Sequence, residues 1–294
     1  MKILITGGSG LLGQYLNLEL SEEINILTCY NEHTGNCKAF NSLKVDIKDF
    51  DKTKKVIQEF NPDILIHTAA ISTPQLSDSL SAKEVYNTNV NATKIIAEEC
   101  ERNGTKLFYL STDLVYAGYR GSMLTENSKL IPVSLYAETK LMGETKIQDT
   151  FDNYIILRTA LLYGFGLNHS KCHFHEMYKN LKDNKNVRLF EDQFRTPLSL
   201  FDAARIISAL TKLEIKGEVI NFGGIERVSR FELGEILCNT ANLDKSLLKK
   251  ITMDDIPDLP KVEDVSMNTE RLQSFGIEQR GIEDSINEIL NTNA

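Results

Sequence analysis

A glycine-rich stretch near the beginning of the chain constrains the fold more than any other feature. Residues 6–13 read Thr-Gly-Gly-Ser-Gly-Leu-Leu-Gly and lie between an apolar run at 2–6 and a helical pattern at 11–20. A strand that passes through such a turn into a helix presents free backbone N–H groups at the positive end of the helix dipole, which suits phosphate groups. The stretch therefore predicts a dinucleotide-binding βα unit.

The glycines of this Gly-x-x-Gly-x-x-Gly spacing have separate tasks in our interpretation. Gly7 permits the tight turn, Gly10 lets phosphates approach without a Cβ in the way, and Gly13 allows the helix to pack closely on the strand. We expect Leu11 and Leu12, which open the helix, to complete the cofactor-binding loop.

Short apolar runs alternate with helical patterns through the first half of the chain. The predicted strands are 2–6, 24–29, 63–67, 106–111 and 154–158, and the predicted helices are 11–20, 53–60, 82–103 and 135–147. This alternation favours a doubly wound parallel α/β sheet. After residue 166 a smaller α+β portion is predicted, with strands at 187–190 and 218–222, helices at 200–213 and 231–241, and an exposed loop at 254–260.

Composition argues against several classes of protein. Acidic residues (41) outnumber Lys and Arg (33), and the net charge of −8 without a basic cluster disfavours a nucleic-acid partner. No apolar run approaches the roughly 20 residues of a membrane helix and no signal peptide is recognisable, so we expect a cytoplasmic protein without a membrane partner. The scattered cysteines predict reduced, packed thiols: Cys29, Cys37, Cys100, Cys172 and Cys238.

A second constellation carries chemistry. Tyr136 and Lys140 are four residues apart and so share one face of the predicted helix. An ammonium beside a phenol favours the phenolate, so Lys140 is predicted to lower the pKa of Tyr136. Thr112 ends a predicted strand at the edge where open α/β sheets bind ligands. A tyrosine and a lysine on one helix face often merely extend along the surface, but the glycine loop upstream favours a hydride-transfer site.

This combination resembles the extended short-chain dehydrogenase/reductases, and within them the dTDP-4-dehydrorhamnose reductase branch. The resemblance covers essentially the whole chain. It is carried by the glycine loop and by these motifs: Asn61-Pro62-Asp63, Ile66-His67-Thr68-Ala69-Ala70, Asn87-Thr88-Asn89-Val90, Ser111-Thr112-Asp113-Leu114-Val115-Tyr116, Tyr136 with Lys140, Arg158-Thr159 before Tyr163-Gly164, Gln193-Phe194-Arg195-Thr196-Pro197 and Phe275-Gly276-Ile277.

The resemblance implies a Rossmann-type NAD(P)-binding domain at 1–164, to which 200–224 returns, and a substrate-binding portion at 165–199 and 225–294. It also implies cofactor contacts beyond the glycine loop. Asp46, with Ile47 beside it, contacts the adenine, and Ala69 and Ala70 line the dinucleotide. Asn89 anchors a helix beside the catalytic lysine.

The same resemblance implies the reaction, which is reduction of a 4-keto-6-deoxy sugar carried on a nucleotide. Thr112 orients the substrate carbonyl, Tyr136 gives the proton, and Lys140 holds the nicotinamide ribose. Ser111 and Asp113 join Thr112 in binding substrate. The branch usually has Tyr at the position of Leu114 and Phe-Asp-Gly at 116–118, where this chain has Tyr-Ala-Gly, so a different sugar pocket is expected.

Two other functions keep the same motifs. A nucleotide-sugar epimerase or dehydratase would return the hydride to its substrate, and the regulatory β subunit of methionine adenosyltransferase resembles this branch without being an enzyme. Homodimers are common in the family, and the sequence leaves the oligomeric state open.

The choice of cofactor also stays open at this stage. An acid at the end of the second strand suits NAD and a cation suits NADP. Glu32 lies slightly late for the first role, whereas His33, Lys38 or Lys44 would suit the second. The resemblance slightly favours NADP(H) over NAD(H).

Two further groups have competing interpretations. His169, His173 and His175, with Cys172 and Glu176, resemble a metal-ligand string, but we expect loop histidines that are solvated or face the substrate, and no metal. By resemblance to nucleotide-sugar enzymes, Arg195 meets the diphosphate of the substrate; a surface ion pair with Glu191 or Asp192 is the alternative.

Overall fold

The computed structural model describes residues 1–21, 25–257 and 261–292. The strands in these residues are β1 (Lys2–Thr6), β2 (Asn25–Tyr30), β3 (Ser42–Lys44), β4 (Ile64–His67), β5 (Lys106–Thr112), β6 (Tyr154–Thr159), β7 (Leu162–Tyr163), β8 (Val187–Phe190), β9 (Phe194–Arg195), β10 (Leu198–Ser199), β11 (Glu218–Phe222), β12 (Val228–Ser229) and β13 (Leu248–Ile251). The helices are α1 (Leu11–Leu20), α2 (Phe50–Phe60), α3 (Pro74–Asp78), α4 (Ala82–Tyr86), α5 (Ala92–Asn103), α6 (Leu135–Gln148), α7 (His173–Lys182), α8 (Leu200–Thr211), α9 (Arg230–Ala241), α10 (Glu270–Ser274) and α11 (Ile282–Thr292).

Seven strands form one sheet in the order β11-β6-β5-β4-β1-β2-β3, and every pairing in it is parallel. The chain starts at β1, runs outward to β3, and then returns to β4 on the other side of β1. This reversal opens a crevice at the carboxyl ends of β1 and β4, where open α/β sheets bind ligands. The predicted Rossmann-type doubly wound sheet is therefore confirmed.

Both faces of the sheet are buried because successive side chains of a strand point to opposite sides. In β1, Ile3 and Ile5 belong to the apolar layer under α1 and α8, whereas Leu4 belongs to the layer under α2 and α5. The near-continuous apolar strands thus reflect a sheet covered by helices on both sides.

The remaining strands form three small pairs outside the main sheet. β7 pairs with β10 and β8 with β13 in parallel, and β9 pairs with β12 antiparallel. A separate apolar cluster joins α7, α9 and α11 through side chains such as Phe174, Leu237 and Ile286. No helix in the described parts of the chain is long and apolar enough to cross a membrane.

The boundaries differ from the predictions at several places. The helix predicted at 82–103 is interrupted by a π-helical turn at Asn87–Asn91, and α2 starts before residue 53 because Asp49 caps it, accepting from the N–H of Lys52 at 3.1 Å. The short strand β3 was not predicted. Residue 24 of the second predicted strand and residues 258–260 of the predicted loop lie outside the described residues.

Gly13 supports a prediction about stability. A Cβ added there would lie 2.2 Å from the carbonyl oxygen of Gly7, which is backbone and cannot rotate away. We expect Gly13→Ala to lower the free energy of unfolding by about 2 kcal/mol, measured by urea denaturation. The control is Gly234→Ala in α9, where the added Cβ would meet a methyl of Leu189, a side chain that can shift. Equal losses in both variants would contradict this account.

Candidate active site

The glycine loop fits closely between its neighbours. Gly7 has a φ of +70°, and a Cβ added to it would lie 2.6 Å from the backbone nitrogen of Ala69 after β4. Gly8, which the sequence analysis did not single out, leaves no room for a Cβ beside the Thr28 hydroxyl of β2. Gly13 lies against the carbonyl of Gly7. The loop is therefore a cradle of bare backbone packed between β2 and β4.

The first turn of α1 faces the crevice without a capping group. Gly10 is the N-cap residue, and no described side chain caps the helix. The first backbone bond of the helix runs from the N–H of Gln14 to the carbonyl of Gly10. The N–H groups of Leu11 and Leu12 have no partner inside a helix of this geometry, so they are available to an anion.

Gln14 fastens a distant segment to the rim of this loop. Its Nε2 donates to the Leu167 carbonyl and to the Ser170 hydroxyl, both at 3.0 Å, and its Oε1 accepts from Asn168 Nδ2 at 2.6 Å. The same Oε1 accepts from the N–H of Asn36 at 3.0 Å. Residues 165–170 therefore form a strap over the glycine loop, a function that the sequence analysis missed.

The predicted adenine end lies beyond β3. Ile47 is buried and lines an apolar hollow together with Cys29 and Val45. Half-buried Asp46 accepts from the N–H of Lys48 at 2.9 Å. Ile47 is therefore part of the buried layer between the sheet and α2, and Asp46 beside it is the more accessible of the two.

Acidic and basic side chains both lie near the end of β2, where an acid would suit NAD and a cation would suit NADP. Glu32 and His33 are exposed, and Lys38 and Lys44 lie exposed nearby in the chain. The His33 ring packs on the His169 ring of the strap, with centroids 4.5 Å apart. The described residues therefore give this position imidazoles as well as a carboxylate.

Asn89 connects the turn after β4 to α6. Its Oδ1 accepts from the N–H of Ile71 at 2.9 Å, and its Nδ2 donates to the Ile71 carbonyl and to the Thr139 hydroxyl, both at 3.1 Å. Ala69 and Ala70, which precede Ile71, are half-buried at the crevice. Asn89 thus fixes this stretch beside the residue that precedes Lys140.

Thr112 and Tyr136 meet at the carboxyl end of β5. Thr112 is the last residue of that strand, and Tyr136, 7% exposed, lies in the first turn of α6. Burial raises the pKa of Tyr136 to about 12, a hydrogen bond with Thr112 opposes the rise, and the Asp113 carboxylate adds to it. The expectation that Lys140 lowers the pKa of this phenol was wrong, because desolvation prevails.

Lys140 lies one turn further along α6, with its amine over the ring of Tyr109, 4.0 Å from the centroid. The Tyr109 hydroxyl donates to the Lys140 carbonyl at 3.3 Å. Burial lowers the pKa of Lys140 to about 7, and Glu144 opposes this shift. Lys140 therefore retains only part of its charge at neutral pH, which weakens its effect on the phenol.

Ser111 does not face the ligand crevice as a free hydroxyl. It donates to the buried carboxylate of Glu144, which also pairs with Arg158 of β6 at 2.8 Å. Arg158 in turn donates to the Tyr116 hydroxyl at 3.0 Å. The proton of the Ser111 hydroxyl is thus used in a contact between β5 and α6, and the predicted substrate contact of Ser111 stays a prediction.

Arg195 lies beside Asp113 rather than on the surface. Its Nε is 3.4 Å from Asp113 Oδ2, and both side chains are buried. The alternative of a surface ion pair with Glu191 or Asp192 was wrong. Glu191 pairs with Lys250, and Asp192 accepts from a backbone N–H. The antiparallel pairing of β9 with β12 carries Arg195 into the cleft.

The histidine string is partly helical. His173 and His175 belong to the first turn of α7, so the prediction of a loop was wrong for both. His175 Nδ1 accepts from the N–H of Gly166 at 3.1 Å, and the Cys172 thiol donates to a backbone carbonyl. No group of three or more His, Cys, Asp or Glu within 1–21, 25–257 and 261–292 is arranged to hold a metal ion. All five cysteines are free.

The lowered pKa of Lys140 gives a signed prediction. The unfolded chain holds this proton between about pH 7 and 10.5 whereas the folded chain releases it, so the free energy of unfolding rises with pH in that window. We compare the unfolding free energy of the wild type with that of Lys140→Met, which has no such proton. The value for wild type minus that for the variant should rise by roughly 1 kcal/mol per pH unit from about pH 7 to 9. Exposed Lys55, changed to Met, is the control and should show a flat difference. A flat difference for Lys140→Met would contradict the burial argument.

The whole chain is similar to known proteins. A family model described as the RmlD substrate binding domain matches residues 1–294. The Xenopus tropicalis protein named methionine adenosyltransferase 2 subunit beta is 29% identical over 287 residues, covering 95% of this chain and 84% of that protein. The dTDP-4-dehydrorhamnose reductase of Aggregatibacter actinomycetemcomitans is 26% identical over 271 residues, covering 88% and 87%.

A solved structure extends the comparison to the fold. The dTDP-4-dehydrorhamnose reductase of Bacillus anthracis, crystallised in complex with NADP, superposes with a TM-score of 0.86 at 23% identity and covers 99% of both chains. That likeness establishes a shared fold, and the family match spans every residue of the sequence. The chain therefore belongs to the RmlD substrate-binding-domain family.

Proposed function

We propose that this protein is a nicotinamide-dependent reductase of a nucleotide-linked 4-keto-6-deoxy sugar. The observation that carries the proposal is the meeting of Thr112 and buried Tyr136 at the carboxyl edge of the sheet that also carries the uncapped glycine loop. The relative from Aggregatibacter, named as a dTDP-4-dehydrorhamnose reductase, supports the substrate class.

The glycine cradle fits a dinucleotide because a Cβ at Gly7 or Gly13 would overlap neighbouring backbone, and the first-turn N–H groups of α1 point to a pyrophosphate. When bound, the cofactor would supply the hydride. Ile47 would pack on the adenine, and Lys140 would hold the nicotinamide ribose. We favour NADP(H) over NAD(H), because exposed His33, Lys38 or Lys44 would suit a 2′-phosphate and the Bacillus relative was crystallised with NADP.

The raised pKa of Tyr136 suits an acid. At neutral pH the phenol keeps its proton, and the reduced carbonyl oxygen of the sugar is a stronger base than the phenolate. The O–H bond of Tyr136 therefore breaks as the new O–H bond of the sugar forms, and solvent later returns a proton to the phenolate. Thr112 would donate to the same sugar oxygen and hold it against Tyr136.

The elements outside the main sheet would form the substrate side of the cleft. In this proposal residues 165–199 and 225–294 bind the nucleotide sugar, and 1–164 with 200–224 bind the cofactor. Arg195 would meet the diphosphate, because its planar guanidinium suits phosphate oxygens and has donors besides the Nε that pairs with Asp113.

The proposal predicts a defined pattern of activity. Protein mixed with dTDP-4-dehydrorhamnose should consume NADPH, with a higher kcat/KM than with NADH. Tyr136→Phe should lower kcat by about 10²- to 10⁴-fold while the Kd for NADPH stays unchanged, because the proton donor is lost and the cofactor contacts remain. Tyr119→Phe, at an exposed tyrosine, is the control. Bound oxidised cofactor without net consumption would favour an epimerase or dehydratase, and equal activity of the two variants would refute the role of Tyr136.

A second candidate is a regulatory subunit, favoured by the 29% identity to the protein named methionine adenosyltransferase 2 subunit beta. This candidate requires a stable complex with a methionine adenosyltransferase. Size-exclusion chromatography of the mixed proteins tests it. A shared peak together with no turnover of any nucleotide-linked keto-sugar would replace the reductase proposal.

A further inference from the structure

A second guanidinium lies beside Arg195. The antiparallel pairing of β9 with β12 places Ser229 opposite Phe194, and Arg230 follows as the first residue of α9. The N–H of Arg230 donates to the Gln193 carbonyl at 3.2 Å, and its Nε donates to Gln193 Oε1 at 3.3 Å. Backbone and side chain are therefore both fixed, which holds the guanidinium in the cleft.

The charges in this part of the cleft do not balance. Asp113 lies between Arg195 and Arg230, and its carboxylate acts on both guanidinium groups. The next carboxylate, that of Asp264, accepts from Arg227 Nε at 2.7 Å. Three arginines thus face two carboxylates, and one positive charge is left over at Arg230.

A polar atom without a hydrogen-bond partner marks the same place. Arg230 Nη1 is out of contact with solvent and makes no hydrogen bond within the described residues, whereas Asp113 Oδ2 has the ion pair with Arg195 Nε at 3.4 Å. A buried guanidinium nitrogen without a hydrogen-bonding partner is costly, and a bound anion that accepts from Nη1 would remove that cost. Burial, and to a smaller extent the nearby guanidinium of Arg230, lowers the pKa of His173 at the start of α7 to about 4. This imidazole is therefore uncharged at neutral pH and does not change the balance of charges.

We propose that Arg230 is a substrate-binding residue and that, together with Arg195, it holds the diphosphate of the nucleotide sugar. The identity of the anion rests on the function proposed above. A diphosphate carries negative charge on two phosphoryl groups, which matches two adjacent guanidinium groups, each able to donate a pair of hydrogen bonds. Asp113, which lies beside both arginines, directly follows Thr112 in the chain. An anion held by Arg195 and Arg230 would therefore place the attached sugar near Tyr136.

The test compares Arg230→Met with Arg227→Met, a matched change at an exposed arginine that is paired with Asp264 and stacked on Phe194. The probe is dTDP, and its binding is measured by isothermal titration calorimetry alongside that of NADPH. We expect Arg230→Met to weaken dTDP binding by about 10- to 100-fold, Arg227→Met to leave it nearly unchanged, and neither to alter NADPH binding. In steady state, Arg230→Met should raise KM for the nucleotide sugar more than it lowers kcat.

A stability measurement separates binding from a structural role. Because Arg230 lacks a full set of partners and lies near Arg195, its removal should leave the urea midpoint unchanged or higher, whereas a structural arginine would lower it. The inference is overturned if wild type does not bind dTDP, if Arg230→Met binds it as tightly as wild type, or if both variants lose it equally. Binding of dTDP that depends on Arg230, without turnover of any keto-sugar, would uphold this site and refute the reductase proposal.

Discussion

The buried ion pair between Glu144 of α6 and Arg158 of β6 sets the position of the candidate site. Nε and Nη2 of Arg158 donate to Glu144 Oε2 at 3.2 and 2.8 Å, and both side chains are almost without solvent contact. Removing one partner of such a pair costs about 3–5 kcal/mol because the other charge stays buried. The pair holds α6 at a fixed height on the sheet, and the absence of a Cβ at Gly143 lets the helix approach Tyr109. These contacts keep Tyr136 and Lys140 of α6 buried at the crevice.

Burial then decides the charge state of the site. It raises the pKa of Tyr136 and lowers those of Lys140 and of His67, whose ring nitrogens face the hydroxyls of Thr6 and Thr93. Each shift favours the neutral form, as expected where desolvation outweighs nearby charges. A neutral phenol is prepared to give a proton rather than to take one. Arg230 differs, because its pKa, although burial lowers it to about 10, still leaves the guanidinium charged at neutral pH.

Local patterns predicted much of this arrangement. The glycine turn, the order of buried strands, and Tyr136 with Lys140 on one helix face follow from spacing and periodicity alone. The partners could not be predicted in the same way, since Gln14 meets residues more than 150 positions away and Asp113 meets Arg195 across the cleft. Such pairs depend on which strands and loops become neighbours in space, and the periodicity of the sequence does not predict those neighbours.

One expectation failed for a physical reason. The sequence analysis expected the ammonium of Lys140 to lower the pKa of Tyr136, and it left out the cost of burying either charge. The structure turns Ser111 toward Glu144 and desolvates Tyr136. Burial and long-range partners, rather than residue type, determine what each group does.

The central claim is that the dinucleotide lies across the glycine loop with its nicotinamide beside Tyr136, and a crystal structure of the protein with NADPH tests it most directly. The account predicts the pyrophosphate on the N–H groups of Leu11 and Leu12, Lys140 on the nicotinamide ribose, and the Tyr136 hydroxyl about 3–4 Å from the place where a substrate oxygen would lie over the nicotinamide. A pyrophosphate bound elsewhere, or a nicotinamide that lies outside the crevice away from Tyr136, would contradict it.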